Sequence, residues 1–350
     1  MKAFFLALGF VVLTIFAGVA YSDSGYHVLR KFPIPGDGNW DYVRADSVNR
    51  RLYVSHGTEV DVLNLDTGEI VGKLMPPKGA DDKSPMQTHG AVAAPDLGLG
   101  FTSDGGASSS TIFDLKTLKT LGQVKLKGSP DGFVYDPFTH LAFMFSEDTK
   151  DGTAIDGVQR KVVGTIPVGG KPEEAVSDEQ GRLYIDVQDK DVVLQVDAKK
   201  LAVTEKWPVG TTCHEPASLA IDMPHQRLFV GCRNQVMIVM DATNGHVLAT
   251  LLIGEVTDAA EYDPQGNLIF SSNIDGTLTV IHEESPNKYT VVDNVKTEFG
   301  ARTMALDLKT HRLFMILADR SNIPAKGTAS QHLRPVIIPN TFHVLVVGKE

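Results

Sequence analysis

Apolar and polar residues alternate with a short period along most of the chain, and one arrangement recurs seven times. Each copy has a short strand of small residues, an acidic turn, and a strand of large apolar and aromatic residues. The copies are VRADSVNRRLYVS (43–55), AVAAPDLGLGFTS (91–103), FVYDPFTHLAFMFS (133–146), AVSDEQGRLYIDV (175–187), LAIDMPHQRLFVGC (219–232), AEYDPQGNLIFSS (260–272) and MALDLKTHRLFMIL (304–317). This alternation predicts strands, and helical periodicity is nearly absent.

An aspartate opens most of the turns and sets the spacing of the copies. The turn positions are Asp46, Ala94, Asp136, Asp178, Asp222, Asp263 and Asp307. Their separations of 48, 42, 42, 44, 41 and 44 residues match repeats of about 40–50 residues. An aspartate side chain can accept a hydrogen bond from a nearby backbone N–H. Turn formation is therefore the simplest role for these residues.

Two more strand-like segments follow each of the first six copies. They span residues 59–74, 110–126, 153–169, 192–210, 236–254 and 278–295. Their β-branched runs, broken by TG, NG or SPN, are typical of hairpins. Each repeat is then four short antiparallel strands. Seven such units predict an all-β fold, a seven-bladed β-propeller.

The two ends of the chain are expected to close the ring. Only one strand-like segment, 341–349, follows the seventh copy, whereas YHVLRKFPIPG (26–36) resembles the fourth strands of the other copies. We expect these segments to pair within one blade. Residues 23–350 would then form a single domain.

A long insert, 318–340, interrupts the last repeat. It is rich in proline and polar residues, which is unusual for a connection within a compact domain. It could cover the channel as a lid, with His332 and Arg334 reaching inward, or it could be a surface loop.

The first residues have the layout of a secretory signal peptide. Lys2 precedes an apolar run, Ala3–Ala20, and small residues follow. Cleavage after Ala20 or Ser22 is predicted, so that 1–22 is removed and the protein is periplasmic or secreted. Retention of the segment as a membrane anchor is the alternative.

The acidic composition argues against nucleic acid as a partner. The 350 residues carry a formal net charge of −10, and loss of Lys2 would make it −11. Phosphate-backbone binding depends on Lys and Arg. We expect a monomer that binds a small molecule or an envelope protein, with no transmembrane segment after cleavage.

The two cysteines, Cys213 and Cys232, suggest a disulfide, because exported chains favour paired cysteines. A turn at 223–226 would bring the two residues together. The alternative is a metal site formed with His214 and Glu215, although this spacing matches no common zinc pattern.

Charged side chains occupy one repeated position near the start of the first strand in each copy. Five residues before each turn position stand Asp41, His89, Asp131, Glu173, Ala217, Asp258 and Arg302. The following positions are mostly small, as expected where seven strands crowd the axis. The six polar members should converge at one mouth of the central channel. Glu174 and Glu215 are near enough in sequence to join them, with Glu215 replacing Ala217.

Several carboxylates at one mouth need cationic partners, because each raises the pKa of its neighbours. Arg302 and His89 could supply part of that charge, and a bound cation or cationic ligand the rest. The metal candidates are His89, Asp41, Asp131 and Glu173, whose oxygen donors would suit Ca²⁺ or Mg²⁺. The alternative is a mouth that is polar only because water fills it.

Several segments resemble the YVTN-repeat propellers, the YncE-like family. They are LYVSH (52–56), TGEIVGKL (67–74), VVGTIPVGGKPEEAVSD (162–178), RLYIDV (182–187) and SSNIDGTLTVIHEESPNKYTVV (271–292). The resemblance covers the chain after residue 22. It implies a propeller exported from a bacterium, and it assigns no catalytic residues. The chain departs from the pattern where Phe229, Ile269 and Phe314 replace the tyrosine.

Two functions remain open. The first is non-catalytic binding of a ligand or partner at the channel mouth. The second is a metal-dependent hydrolase, lactonase or lyase that uses the same residues. A quinone dehydrogenase is disfavoured, because Trp40 and Trp207 are the only tryptophans. Serine-nucleophile, phosphate-loop and dinucleotide motifs are absent.

Overall fold

The computed structural model describes residues 24–37, 39–76, 87–321 and 336–350. The predicted signal peptide, 1–22, and the candidate lid residues His332 and Arg334 lie outside this part. No helix among the described residues is long and apolar enough to cross a membrane. Almost all regular structure is β.

Seven four-stranded antiparallel sheets form the blades of a β-propeller. The strands are β1 (His27–Pro33), β2 (Val43–Asp46), β3 (Arg51–His56), β4 (Glu59–Asn64), β5 (Ile70–Leu74), β6 (Gly90–Ala94), β7 (Leu99–Ser103), β8 (Ser109–Asp114), β9 (Thr120–Lys125), β10 (Phe133–Asp136), β11 (Leu141–Ser146), β12 (Asp151–Asp156), β13 (Lys161–Pro167), β14 (Pro172–Ser177), β15 (Arg182–Val187), β16 (Val192–Asp197), β17 (Ala202–Pro208), β18 (Pro216–Asp222), β19 (Arg227–Cys232), β20 (Val236–Asp241), β21 (Val247–Leu252), β22 (Thr257–Asp263), β23 (Leu268–Asn273), β24 (Thr277–Ser285), β25 (Lys288–Lys296), β26 (Met304–Asp307), β27 (Arg312–Leu317), β28 (Arg320–Ser321), β29 (Val336–Ile337) and β30 (His343–Gly348). Two single-turn 3₁₀ helices, Gly105–Ala107 and Gln188–Lys190, follow the second strands of blades two and four.

Blade one is β2–β5, and the following blades take four strands each in chain order up to β25. The seventh blade has the order β1-β30-β27-β26. The short pair β28 and β29 forms a ribbon at the base of the insert. The innermost strands, β2, β6, β10, β14, β18, β22 and β26, surround the central channel.

The turn aspartates have the role that their spacing predicts. Asp136 Oδ2 accepts hydrogen bonds from the backbone N–H of Thr139 at 2.9 Å and from its hydroxyl at 2.6 Å. Asp46 Oδ1 accepts one from the N–H of Asn49 at 2.9 Å. These bonds hold the turn between the first two strands of a blade.

One large aromatic side chain from the second strand of every blade fills the core between neighbouring sheets. The seven are Tyr53, Phe101, Phe143, Tyr184, Phe229, Phe270 and Phe314, none more than 2 % exposed. In blade six the residue is Phe270, so the assignment of Ile269 to this position was wrong. Pairing in that blade begins at Asp263 and Leu268, which places Phe270 opposite Glu261 as Tyr53 lies opposite Arg44.

Pairing of the two chain ends closes the ring, as predicted. Strand β1 runs antiparallel to β30, from His27 opposite Gly348 to Pro33 opposite His343. Phe32, whose side chain points from this strand into the core, is 5 % exposed, and Ile34, just after the strand, is 1 % exposed. The N-terminal segment is therefore the outer strand of the last blade.

A disulfide joins Cys213 to Cys232, whose Cα atoms are 5.5 Å apart. Both residues are fully buried. Cys232 lies opposite Pro216 in the β18–β19 pair, which places it beside the segment that carries its partner. The sulfurs are thus joined to each other and do not form the alternative metal site with His214 and Glu215.

Replacing both cysteines with alanine should lower the free energy of unfolding by about 3 kcal/mol, because the loop of about 20 residues would no longer constrain the unfolded chain. Urea denaturation of the oxidised protein and of the Cys213→Ala/Cys232→Ala variant measures the difference. Reduction should destabilise only the wild type. Two titratable thiols in denatured, non-reduced protein would contradict the pairing.

Candidate functional site

Five of the six charged positions from the sequence pattern line one small cavity at the end of the channel where the innermost strands begin. We call it the mouth cavity. It has a volume of about 180 Å³ and is lined by Asp41, Tyr42, Asp131, Glu173, Ala217, Arg233, Asp258, Arg302 and Thr303. His89, the sixth, contacts two of the lining carboxylates. The structure therefore brings these six side chains together.

His89 lies between two aspartates from the neighbouring blades. Its Nδ1 is 2.7 Å from Asp41 Oδ2 and 3.1 Å from Asp131 Oδ1. Burial alone would lower the pKa of His89, but the charges of Asp131 and Asp41 raise it well above its ordinary value. Burial would raise the pKa of Asp131, but His89 holds it below its usual range. Burial and the charge of Asp131 raise the pKa of Asp41, although His89 and Arg302 oppose the shift. His89 is therefore an imidazolium whose charge is balanced mainly by Asp131.

Small residues are required beside these charges because the chain is crowded there. A Cβ on Gly105, in the 3₁₀ turn of blade two, would lie 2.8 Å from Nε2 of His89. One on Gly132 would lie 2.5 Å from the carbonyl oxygen of Glu173. The alternation of charged and small residues in the sequence thus follows from packing at the axis.

Arginines complete the other side of the mouth. Arg302 pairs with Asp258 through its Nη1, and its Nη2 is 4.0 Å from Asp41. Arg233 Nη2 is 2.9 Å from Glu173 Oε1 and 3.1 Å from Asp258 Oδ1. With these contacts, every one of the seven blades contributes a charged side chain to the mouth.

Arg233 is the member that the sequence register did not find. It lies in the turn between β19 and β20, not on an innermost strand. The small side chain of Ala217 leaves the space that Arg233 enters. Glu215, which the sequence suggested for this blade, is exposed and does not line the mouth cavity. Its backbone N–H donates to Asp191 Oδ1 at 2.8 Å.

Glu174 lies one step deeper than the mouth and is held by Arg44. Arg44 Nη2 is 2.8 Å from both carboxylate oxygens, and its guanidinium lies 4.9 Å from the ring centre of Tyr42 and 5.2 Å from that of Phe133. Burial raises the pKa of Glu174, although Arg44 opposes the shift. Because the two residues come from blades one and four, this pair spans the channel. We call it the crossbar.

With all of its acidic and basic groups ionised, the mouth carries one negative charge in excess, and burial raises the pKa of Asp41 and of Glu173. Its carboxylates are Asp41, Asp131, Glu173, Asp258 and, at the rim, Glu147. Its cationic groups are His89, Arg233, Arg302 and Lys171, which lies 3.2 Å from Glu147 and 3.5 Å from Glu173. The charges are therefore mostly neutralised by the protein's own side chains.

A metal at Asp41, His89 and Asp131 would compete with a proton. Their ligand atoms lie within 4.8 Å of one another, close enough to surround one ion. An imidazole must lose its proton before it can donate electrons to a metal, and both carboxylates favour retention of that proton. Metal binding at these three residues therefore requires His89 to lose its proton.

His89 should remain protonated at pH 7.5, where a histidine in a peptide is about nine-tenths neutral. Nitrogen-15 NMR of the imidazole, assigned with His89→Gln, measures this, and Asp131→Asn should lower the pKa. Because the folded-state pKa is raised, the contribution of His89 to stability is complete below about pH 6.5 and disappears as the pH rises through the folded value. A neutral ring at pH 7 would contradict the expectation.

Solved structures identify the class of fold. The chain is similar to a chain of "Crystal Structure of Mitotic Checkpoint Complex", with a TM-score of 0.72, 14% identity, and coverage of 90% of this chain and 94% of that one. It is also similar to "Kuenenia stuttgartiensis Hydrazine Synthase", with a TM-score of 0.65, 13% identity, and coverage of 86% of this chain and 95% of that one. A third similar structure is "Structure of U3-55K", with a TM-score of 0.70, 9% identity, and coverage of 93% of this chain and 99% of that one. At these identities the likeness establishes the seven-bladed propeller fold and nothing finer. No family model and no curated protein matches the chain.

Proposed function

We propose that this protein is an exported, non-catalytic binding propeller of the YVTN-repeat type. In this proposal, the mouth cavity holds a positively charged group of a small molecule or of an envelope protein. The observation that carries the proposal is a pair of incompletely satisfied carboxylates in that cavity. Asp131 Oδ1 and Glu173 Oε2 are both buried and accept no hydrogen bond from a described residue.

These two oxygens lack a hydrogen bond because the neighbouring donors point to other acceptors. The Nδ1 proton of His89 is directed to Asp41 at 2.7 Å, so the oxygen of Asp131 at 3.1 Å is left with charge attraction alone. Glu173 Oε2 has only the ammonium of Lys171, at 3.5 Å. A cationic group entering the cavity could donate to both oxygens and would neutralise the excess negative charge.

Three further observations support the wider proposal. The repeats resemble the YVTN family in the segments quoted above. The disulfide suits an oxidising compartment, in agreement with the predicted signal peptide. A similar propeller occurs in a structure whose title names a complex, and a protein partner is one of the two occupants we propose for the mouth.

Cationic probes of matched shape test the proposal. Nα-acetyl-lysine amide and Nα-acetyl-arginine amide should raise the melting temperature of the protein from residue 23 onward, whereas Nα-acetyl-norleucine amide, which lacks the charge, and glutarate should not. Glu173→Gln and Asp131→Asn should each abolish this stabilisation while leaving the apo fold intact, because each removes one of the two incompletely satisfied carboxylates and neither removes a core side chain. Glu205→Gln, an exposed carboxylate on an outer strand, is the matched control. A ligand at about 100 times its Kd stabilises by about 2.7 kcal/mol.

An equal response in Glu173→Gln and wild type, or no response to any cationic probe, would contradict the proposal. Elemental analysis and titration with Ca²⁺ and Mg²⁺ address the alternative. Bound metal, together with stabilisation by that ion that His89→Ala removes, would support the metal-dependent function instead.

A further inference from the structure

A second cavity occupies the opposite end of the channel, and its lining differs completely from that of the mouth. We call it the far cavity. It has a volume of about 330 Å³ and is lined by Arg44, Ala45, Glu174, Ala175, Val176, Leu219, Ala220, Ile221, Ala259, Ala260, Glu261, Tyr262, Met304, Leu306 and Leu308. None of these residues lines the mouth cavity. The crossbar contributes to the far cavity but not to the mouth, so it forms the boundary between them.

Eleven of the fifteen residues that line the far cavity are apolar residues of the innermost strands or their turns, although polar atoms make up nearly half of its surface. Its volume is at the small end of the range for ligand sites. It would therefore accept a compact molecule with an apolar body. At the outer rim, Leu308 is 54 % exposed, so the apolar lining continues to the surface.

One carboxylate in this lining has no counterion. Arg44 contacts both oxygens of Glu174 through its Nη2 at 2.8 Å. Glu261 accepts a hydrogen bond from the backbone of Leu306 but has no ion pair within the described part of the chain. Burial raises the pKa of Glu261 to about 7, with Arg44 opposing the shift and Glu174 adding to it. Of the charged lining groups, Arg44 and Glu174 cancel, so an ionised Glu261 leaves the cavity with one negative charge.

We propose that the far cavity binds a small primary amine with a compact apolar body, whose ammonium group pairs with Glu261. The amine supplies the missing counterion, and the apolar body replaces water against the alanine and leucine side chains. A carboxylic acid would meet two carboxylates, while a neutral alcohol would leave Glu261 unpaired. This site is separate from the proposed function at the mouth and goes beyond it.

Cyclohexylamine is a suitable probe, with cyclohexanol and cyclohexanecarboxylate as neutral and anionic analogues of similar size. Isothermal titration calorimetry at pH 8 should show that the amine binds about tenfold or more tightly than either analogue, as expected for a hydrogen bond to a charged group. Glu261→Gln should remove this preference. Glu179→Gln, an exposed carboxylate at the same end of the ring, should not change it.

The pH dependence provides a second measurement on the wild type alone. Ionisation of Glu261 near pH 7 should strengthen amine binding about tenfold between pH 6 and pH 8, since Arg44 and Glu174 stay paired. Glu173→Gln, which tests the mouth, should leave binding of cyclohexylamine unchanged, so the two proposals can fail separately. Absence of binding at millimolar amine, equal binding to folded Glu261→Gln, or loss of binding in Glu173→Gln would overturn the far site.

Discussion

A chain that begins at Gly36 should be far less stable than one that begins at Ser24, because it lacks the outer strand of the seventh blade. Three buried apolar side chains, Tyr26, Phe32 and Ile34, would be lost. Each contributes about 1.5–3 kcal/mol by burial, a large share of the 5–15 kcal/mol typical of whole domains. Strand β30 would also become an exposed edge that promotes association. Urea denaturation and size-exclusion chromatography measure the two effects.

Point variants separate the packing effect from the deletion itself. Phe32→Ala should cost about 3–5 kcal/mol, since its ring is buried and lies 6.4 Å from that of Phe314. His27→Ala, at an exposed position in the same strand, should change stability by less than about 0.5 kcal/mol. Unchanged unfolding and monodisperse behaviour of the truncated chain would disprove closure through β1.

Substitution of one residue of the crossbar should lower the stability of the protein nearly as much as substitution of a buried residue in β1. Arg44→Met would leave Glu174, whose side chain is 8 % exposed, as a buried carboxylate without its counterion. Breaking such a pair costs about 3–5 kcal/mol. The loss of unfolding free energy in Arg44→Met should be largest at pH 7 and should shrink as the pH falls toward 5. The unpaired Glu174 carboxyl would have a raised pKa and would become protonated over this range. Urea denaturation at both pH values measures it.

A double substitution provides the internal control. Arg44→Met/Glu174→Met removes both charges, and such replacements are often neutral or stabilising. It should therefore recover most of the lost stability. Arg182→Met, which removes an exposed arginine 4.0 Å from the buried Asp178, should cost less than about 1 kcal/mol, because water screens the long contact. If the single and double variants at the crossbar were equally stable, Glu174 would not depend on Arg44.

The fold could be predicted because its information is local and repeated. Six of the seven copies carry a turn aspartate and every copy carries its own buried aromatic residue, so seven weak patterns support one another. The same repeat pattern led to the wrong assignment of Ile269, instead of Phe270, to the core position of blade six. Leu268, Ile269 and Phe270 are all apolar, and only the pairing from Asp263 decides which of them lies in the core position.

The mouth was less predictable because its residues come from two kinds of element. The register of the innermost strands could place His89 and Asp131 at the channel, since their positions repeat from blade to blade. Arg233 comes from a turn between β19 and β20. The spacing of the repeats does not indicate how far a long side chain extends from a turn, so the sequence could not place Arg233 at the mouth. The crossbar pairs a residue of blade one with a residue of blade four across the channel, which no repeat pattern specifies.

The pairing of β1 with β30 also determines the order in which the molecule can be completed. His27 of β1 pairs with Gly348 of β30. Strand β1 precedes every other described strand in the chain and β30 follows them all, so β1 can pair only after the strands between them have been synthesised. Contacts so distant in sequence slow folding, because the loop entropy is lost before they form. The closing blade should therefore be the last to assemble. Until then the nascent chain exposes strand edges that are prone to aggregation.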